Sequence, residues 1–287
     1  MSNGYLREYA LGVPTGLAII GMMIVSSIVL WMARNKATPF NDHVELSRGN
    51  GALALERGAF LLGHIVAMAY VIGGFDPDNT ARSLGAIALK DIFITVSMFI
   101  LGYVVDWTIL PKVKNDSLLL KGYYAVATAM AGAYLGLGLV LGAATVGSAS
   151  DTTTTFLATM VFALLGLGVV IVLTRLHFSI KYGTNQAEMI QHNLMAPAID
   201  VASFVLSISL LVSVGVAGDL VSWWDGLKAF GATIVIALLM MYGVQWILNL
   251  LMTRGRYQRS NVGHAVMVAF GRLALAIGLW GILSNVL

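Results

Sequence analysis

Apolar residues come in unbroken runs of about 20 along the whole chain, parted by short polar segments, with no period-two alternation. Runs of that length match a hydrocarbon core of roughly 30 Å at about 1.5 Å rise per helical residue. In lipid only helices or closed barrels satisfy their own backbone hydrogen bonds, and continuous apolarity selects helices. Eight spans are predicted, at 11–31, 52–72, 84–105, 123–146, 156–173, 194–216, 227–251 and 262–282. The expected fold class is all-α, a polytopic membrane protein of about eight transmembrane helices. The first run is longer than a signal-peptide core, and its basic residues Arg34 and Lys36 follow it, so it is read as a mature helix.

Composition agrees. Of 287 residues, 58% are hydrophobic and 11% charged, with mean hydropathy +0.84; a soluble domain runs near 45–50% and about 25%. There are no cysteines, which excludes disulfides, thiolate metal sites and thiol catalysis.

Charge placement sets an expected orientation. The segments after spans one, three, five and seven carry Arg34, Lys36, Arg48, Lys112, Lys114, Lys121, Arg175, Lys181, Arg254, Arg256 and Arg259, against Arg7, Arg82 and Lys228 on the other side. Eleven against three puts the basic segments in the cytoplasm and both termini outside, in the periplasm of a bacterial inner membrane. Asp76, Asp78, Asp151, Asp219 and Asp225 fall on the outer side. The net charge of +3 then reports topology, and no nucleic-acid partner is implied.

The halves echo each other. Glu45 and Asn50 recur 143 positions later as Glu188 and Asn193; Tyr103, Asp106 and Trp107 recur at an offset of 139 as Tyr242, Gln245 and Trp246. YAVATAMAGAYLGLG from Tyr124 pairs with HAVMVAFGRLALAIG from His264. Two four-helix repeats are expected, 1–147 and 148–287, sharing one orientation and related by a pseudo-twofold axis along the membrane normal.

The segment TPFNDHVELSRGNGALALERGAFLLG, 38–63, carries Thr38, Pro39, Asn41, Asp42, Leu46, Gly49, Asn50, Ala52, Ala54, Leu62 and Gly63. In this it resembles the signature of domain of unknown function 350, the YjfL-type bacterial inner-membrane proteins. The resemblance implies a domain of about four helices, hence two tandem copies, the second diverging at His192 and Pro197. It also implies a slight link to envelope-stress or polyamine-related systems, and no cofactor.

Away from the span ends, seven ionisable groups fall inside the spans: Glu56, Asp91 and Asp200 against Arg57, Lys90 and Arg272, with His64 besides. A charge at mid-bilayer costs about 2.5 kcal/mol or more, so such groups face the bundle interior and pair. Depth counting at about 1.5 Å per residue predicts two layers: Glu56, Arg57 and Asp200 in the cytoplasmic third, and His64, Lys90, Asp91 and Arg272 near the middle. It pairs Arg57 with Asp200 and Arg272 with Asp91. These groups serve either helix registry or a polar pathway, and a mid-membrane histidine, able to change charge near neutral pH, suits the second.

Glycines at three- and four-residue spacing in GAYLGLGLVLG (132–142) indicate close helix packing, not a dinucleotide loop, because no strand precedes them. They also make a homodimer a candidate assembly. His43, Glu45, His177, Glu188, His192 and His264 have metal-ligand chemistry without metal-site spacing, so no metal is expected. Trp31, Trp107, Trp223, Trp224 and Trp246, with Trp280 nearby, sit near span ends as interfacial anchors. No nucleophile and base stand at a recognisable spacing, so no enzyme is expected. Two readings follow. One is a conduit, channel or transporter, for an ion or small polar solute, using the polar layers between the halves. The other is a non-transporting scaffold or sensor that docks a cytoplasmic protein partner through Thr38, Pro39, Asn41, Asp42, Glu45 and Asn50, with counterparts Glu188 and Asn193. In both, the lipid bilayer is the immediate surrounding.

Overall fold

The computed structural model describes residues 2–110, 115–147, 152–182, 190–253 and 261–286. Among these there are α1 (Ser2–Ala37), α2 (Asp42–Ser47), α3 (Gly51–Ile72), α4 (Thr80–Ile109), α5 (Asn115–Leu120), α6 (Tyr124–Ala144), α7 (Thr152–Tyr182), α8 (Met195–Val216), α9 (Trp223–Thr253) and α10 (Val262–Val286), with no strand. All but α2 and α5 are long and apolar enough to cross a membrane, eight in number among the described residues. The protein is an all-α polytopic membrane protein. Of the loop charges used for orientation, Lys112, Lys114, Asp151, Arg254, Arg256 and Arg259 lie outside the described residues, as does Glu188.

The helices pack as a row, α3–α6–α8–α10, with α1 and α4 against the α3–α6 side and α7 and α9 against α8. In the most apolar stretch of α6, 78% of residues are buried, against 11% in α1, so α6 is interior and α1 mostly faces lipid. Lipid offers no hydrophobic drive between helices, and small residues that let backbones approach do the work. A Cβ on Gly138 of α6 would collide with the Gly63 carbonyl of α3, and one on Gly132 would collide with Ala202 of α8. The glycine run thus locks α6 to both neighbours.

Three membrane helices begin alike. Before α3, the Gly49 N–H donates to the Leu46 carbonyl and the Asn50 N–H to Glu45; before α6, Gly122 donates to Leu119 and Tyr123 to Leu118; before α8, Asn193 donates to Ile190. These are α-helical C-terminal caps, and the residue that closes each one is left-handed: Gly49 at φ 81, Gly122 at φ 74 and Asn193 at φ 58. The sequence NDHVELSRGN before α3 and NDSLLLKGY before α6 share this cap at a separation of 73 residues between Gly49 and Gly122, with Asn193 a further 71 on. The local unit of structure is therefore a short capped turn followed by a membrane helix, found twice in the first proposed half and once among the described residues of the second.

Candidate functional site

At the end of the bundle that carries α2 and α5, α1 and α4 run a turn past the spans expected for them and bring Arg34 and Asp106 inside. Arg34 is 2% exposed. Its Nη2 donates to Asp106 Oδ2 at 2.5 Å, the Tyr134 hydroxyl at 2.6 Å and Glu56 Oε1 at 3.3 Å. Tyr134 in turn donates to Asp106 Oδ1. The other two guanidinium nitrogens, Nε and Nη1, have no hydrogen-bond partner among the described residues. The rings of Phe60, Tyr103 and Tyr134 stand 4.9–5.6 Å from Arg34 Cζ and present their negative faces instead.

Glu56 links this group to a second one. Arg57 Nη1 donates to Glu56 Oε2 at 2.6 Å, while Arg57 Nε and Nη2 grip both oxygens of Asp42 at 2.7 and 3.1 Å. Three carboxylates, Asp42, Glu56 and Asp106, thus share two guanidiniums, and full ionisation leaves one negative charge uncompensated. A cleft of about 510 Å³ opens beside it, lined by Arg34, Thr38, Tyr103, Asp106, Asn115 and Asp116, among others.

The loop residues singled out from sequence build this end. Thr38 and Pro39 line the cleft. Asn41 caps α2 by accepting from the His43 N–H, the Asp42 N–H donates to Asn35 Oδ1, and Glu45 pairs with the exposed Arg48. Asn50 caps α3, accepting from the Leu53 N–H, and its Nδ2 donates to the Leu119 carbonyl. Asn193 accepts from the Ala125 N–H and so caps α6, a neighbouring helix, where Asn50 caps its own.

Deeper in the same bundle His64 is fully buried. Its Nδ1 lies 3.2 Å from Ser27 Oγ of α1, and its Nε2 lies 3.1 Å from both Asp91 Oδ1 and Thr95 Oγ1 of α4. Between this site and Arg34 stand Leu30 on α1, Phe60 on α3 and Met98 on α4, each 1% exposed or less. At the far end a cleft of about 200 Å³ is lined by Asp76, Asn79, Arg82 and Lys90, among others. There hydrogen bonds from the Asn79 side chain and the Asp78 N–H hold the Asp76 carboxyl below the usual carboxylate range.

The expected pairs are not the ones formed. Arg57 does not meet Asp200, because α6 stands between α3 and α8 in the row. Arg272 does not meet Asp91; α10 and α4 lie at opposite ends of the fold, and Arg272 donates instead to the Asp200 carboxylate, the Asp200 carbonyl and Ser203 Oγ at 2.9–3.1 Å. Asp200 also takes Lys181 Nζ at 2.8 Å. The long arginine side chain reaches across the depth that counting had used to separate Arg272 from Asp200. Lys90 leaves the middle layer too: its flexible stem carries Nζ to the Thr145 carbonyl at the C-terminal end of α6, at 2.6 Å, a favoured place for a cation.

The second half has its own aromatic and charged group. His177 stacks on Phe204 at 4.0 Å between centroids, Tyr242 lies 3.4 Å from His177 Nδ1, and Arg272 sits over the same Phe204 ring at 5.5 Å. These occupy places matching Arg34, Phe60 and Tyr103 at offsets of 143, 144 and 139, and Asp200 matches Glu56 at 144.

The model of the family Domain of Unknown Function (DUF350) matches residues 79–216. Over that stretch the chain is similar to DUF350. The matched segment spans α4 to α8 and starts beyond the 38–63 segment that carries the resemblance. No curated protein and no solved structure matches the chain. Asp42 was noted from sequence only as a motif residue, and Arg34 and Asp106 only as a topology charge and a repeat echo. Arg34 and Asp106 each lie within a turn of an apolar run and can remain helical, which is the signal that marks them; Asp42, in the separate short α2, has no such signal.

Proposed function

We propose that this protein is a conduit for a proton or small cation across a bacterial inner membrane, with both termini periplasmic. In this reading the pathway runs through the α1–α3–α4 side of the first half and not between the halves. One observation carries it: on those three helices, two buried polar sites lie in line, separated by the apolar layer of Leu30, Phe60 and Met98, with a cleft at each end of the line. Buried ionisable groups that face one another inside a membrane bundle mark ion or proton paths more often than soluble ion pairs mark function. The uncompensated charge at Asp42, Glu56 and Asp106 gives the inner cleft a preference for cations. The resemblance of His64, Ser27 and Asp91 to a hydrolase triad does not extend to use, since a fully buried imidazole meets no substrate.

Flux through reconstituted protein tests the reading. Purified protein in liposomes should move protons or alkali cations down an imposed gradient, and Glu56→Gln should reduce the rate at least tenfold while the protein stays folded. Absence of flux in the wild type, together with a Ser27→Cys variant that no water-soluble maleimide labels, overturns it. The competing reading, a scaffold that docks a cytoplasmic protein, is favoured by the outward face of α2, where His43, Val44, Ser47 and Arg48 are exposed.

A further inference from the structure

The geometry points to a proton-loading station at His64, in which Ser27, His64 and Asp91 take up and release one proton, and so to the proton as the species carried. This rests on the conduit reading for its role in transport, and on the site's own geometry for its chemistry.

The constellation uses both imidazole nitrogens and belongs to three helices. Ser27 faces His64 from α1, Asp91 and Thr95 face it from α4, and α6 presents Gly138 and the Tyr134 carbonyl to the neighbouring Gly63. Lys90, next to Asp91 in sequence, is turned away to Thr145. With His64 neutral, Nε2–H donates to the Asp91 carboxylate and Nδ1 accepts the Ser27 hydroxyl proton. The group then carries a net charge of one negative in the middle of the bundle. A single proton added at Nδ1 makes an imidazolium that donates to Asp91 on one side and to Ser27 Oγ on the other. The serine has changed from donor to acceptor by rotating its O–H, and the net charge has fallen to zero. No heavy atom moves and no heavy-atom bond forms or breaks; the proton comes from one aqueous side and leaves to the other.

The same positions are wrong for a metal ion. Sodium or magnesium needs several oxygen ligands or retained waters, whereas His64 is fully buried, Asp91 is 5% exposed, and the polar atoms are spent on one another. The inner site is built to the same charge arithmetic, three carboxylates against two guanidiniums, and is likewise one proton short of neutrality. Eight residues separate Glu56 from His64, about 12 Å along α3 at about 1.5 Å per residue. That gap is filled by Phe60 and its neighbours, so the two stations exchange protons only when the apolar layer opens to water.

The test uses the full-length protein in lipid. Solid-state NMR of nitrogen-15 histidine should show His64 Nδ1 passing from acceptor to N–H as the medium is acidified. In Asp91→Asn the Nε2–H resonance should lose the displacement that a carboxylate acceptor gives it; Ser27→Ala, a milder change, should alter the Nδ1 signal while leaving Nε2 bonded. In liposomes the wild type should pass protons at least tenfold faster than sodium or potassium at equal driving force. A His64 that keeps one neutral tautomer throughout, or alkali flux equal to proton flux, overturns the station. A titrating His64 in a protein that moves no ion removes the conduit reading and leaves the station standing; ion flux past a silent His64 does the reverse.

Discussion

Arg57 holds Asp42 by two hydrogen bonds, Nε to Oδ2 at 2.7 Å and Nη2 to Oδ1 at 3.1 Å, and this fork ties the short α2 to the first turns of α3. Both side chains are almost wholly buried. Removing Arg57 strands the Asp42 carboxylate, at a cost of about 3–5 kcal/mol, while removing the Asp42 charge leaves Arg57 paired with Glu56 but breaks the fork. Asp42→Asn and Arg57→Met should each lower the detergent melting temperature markedly and release α2, read as new protease sensitivity between Thr38 and Asn50. Arg57→Lys should fall between, since an ammonium cannot form the fork.

Charge exchange separates true pairs from expected ones. Asp200→Arg with Arg272→Asp should recover part of the expression lost in each single variant, because these two groups meet at 3.0 Å. Asp91→Arg with Arg272→Asp should recover none. Membrane-fraction yield of the three single and two double variants measures this, and rescue by the second combination would contradict the packing row.

The α3–α6 contact makes a steric prediction. Gly138→Ala drives a methyl into the Gly63 carbonyl and should destabilise by about 1–3 kcal/mol, the usual cost of overpacking. Gly278→Ala, where nothing lies within 4 Å, should be neutral or gain about 0.5–1 kcal/mol of helix propensity. Thermal unfolding of both in one detergent checks the contrast.

The left-handed residues before the membrane helices differ in tolerance. Gly49→Ala and Gly122→Ala should each cost roughly 1–2 kcal/mol, since a Cβ crowds the carbonyl in that conformation. Asn193→Gly at the equivalent place relieves that crowding but removes the side chain that caps α6 at the Ala125 N–H, so its net effect should be a loss. Melting curves of the three variants rank them.

What could be read from the sequence follows from what lipid enforces. Span number and helical type were legible because hydropathy over about 20 residues is a direct consequence of bilayer thickness. That Glu56, Arg57, His64, Asp91, Asp200 and Arg272 face inward was legible for the same reason, and each is buried. Their partners were not, because pairing depends on which helices are neighbours, and nothing local says that α6 separates α3 from α8. Arg34 and Asp106 lay hidden because hydropathy blurs helix ends: α1 continues to Ala37 and α4 to Ile109, turning two residues assigned to loop or boundary into a buried guanidinium and a partly buried carboxylate. Lys90 was misplaced because a count of backbone rise ignores the reach of a long side chain.

The glycine seam along α6 has a mechanical consequence. Backbones clasped at Gly63–Gly138 on one flank and Gly132–Ala202 on the other have no slack for sliding, so α3, α6 and α8 form the stator. In the proposed conduit, the motion that wets the barrier at Phe60 would come from α1 and α4, which face lipid apart from the contact of α4 with α7. The thickness and tension of the surrounding lipid would then bear on that motion.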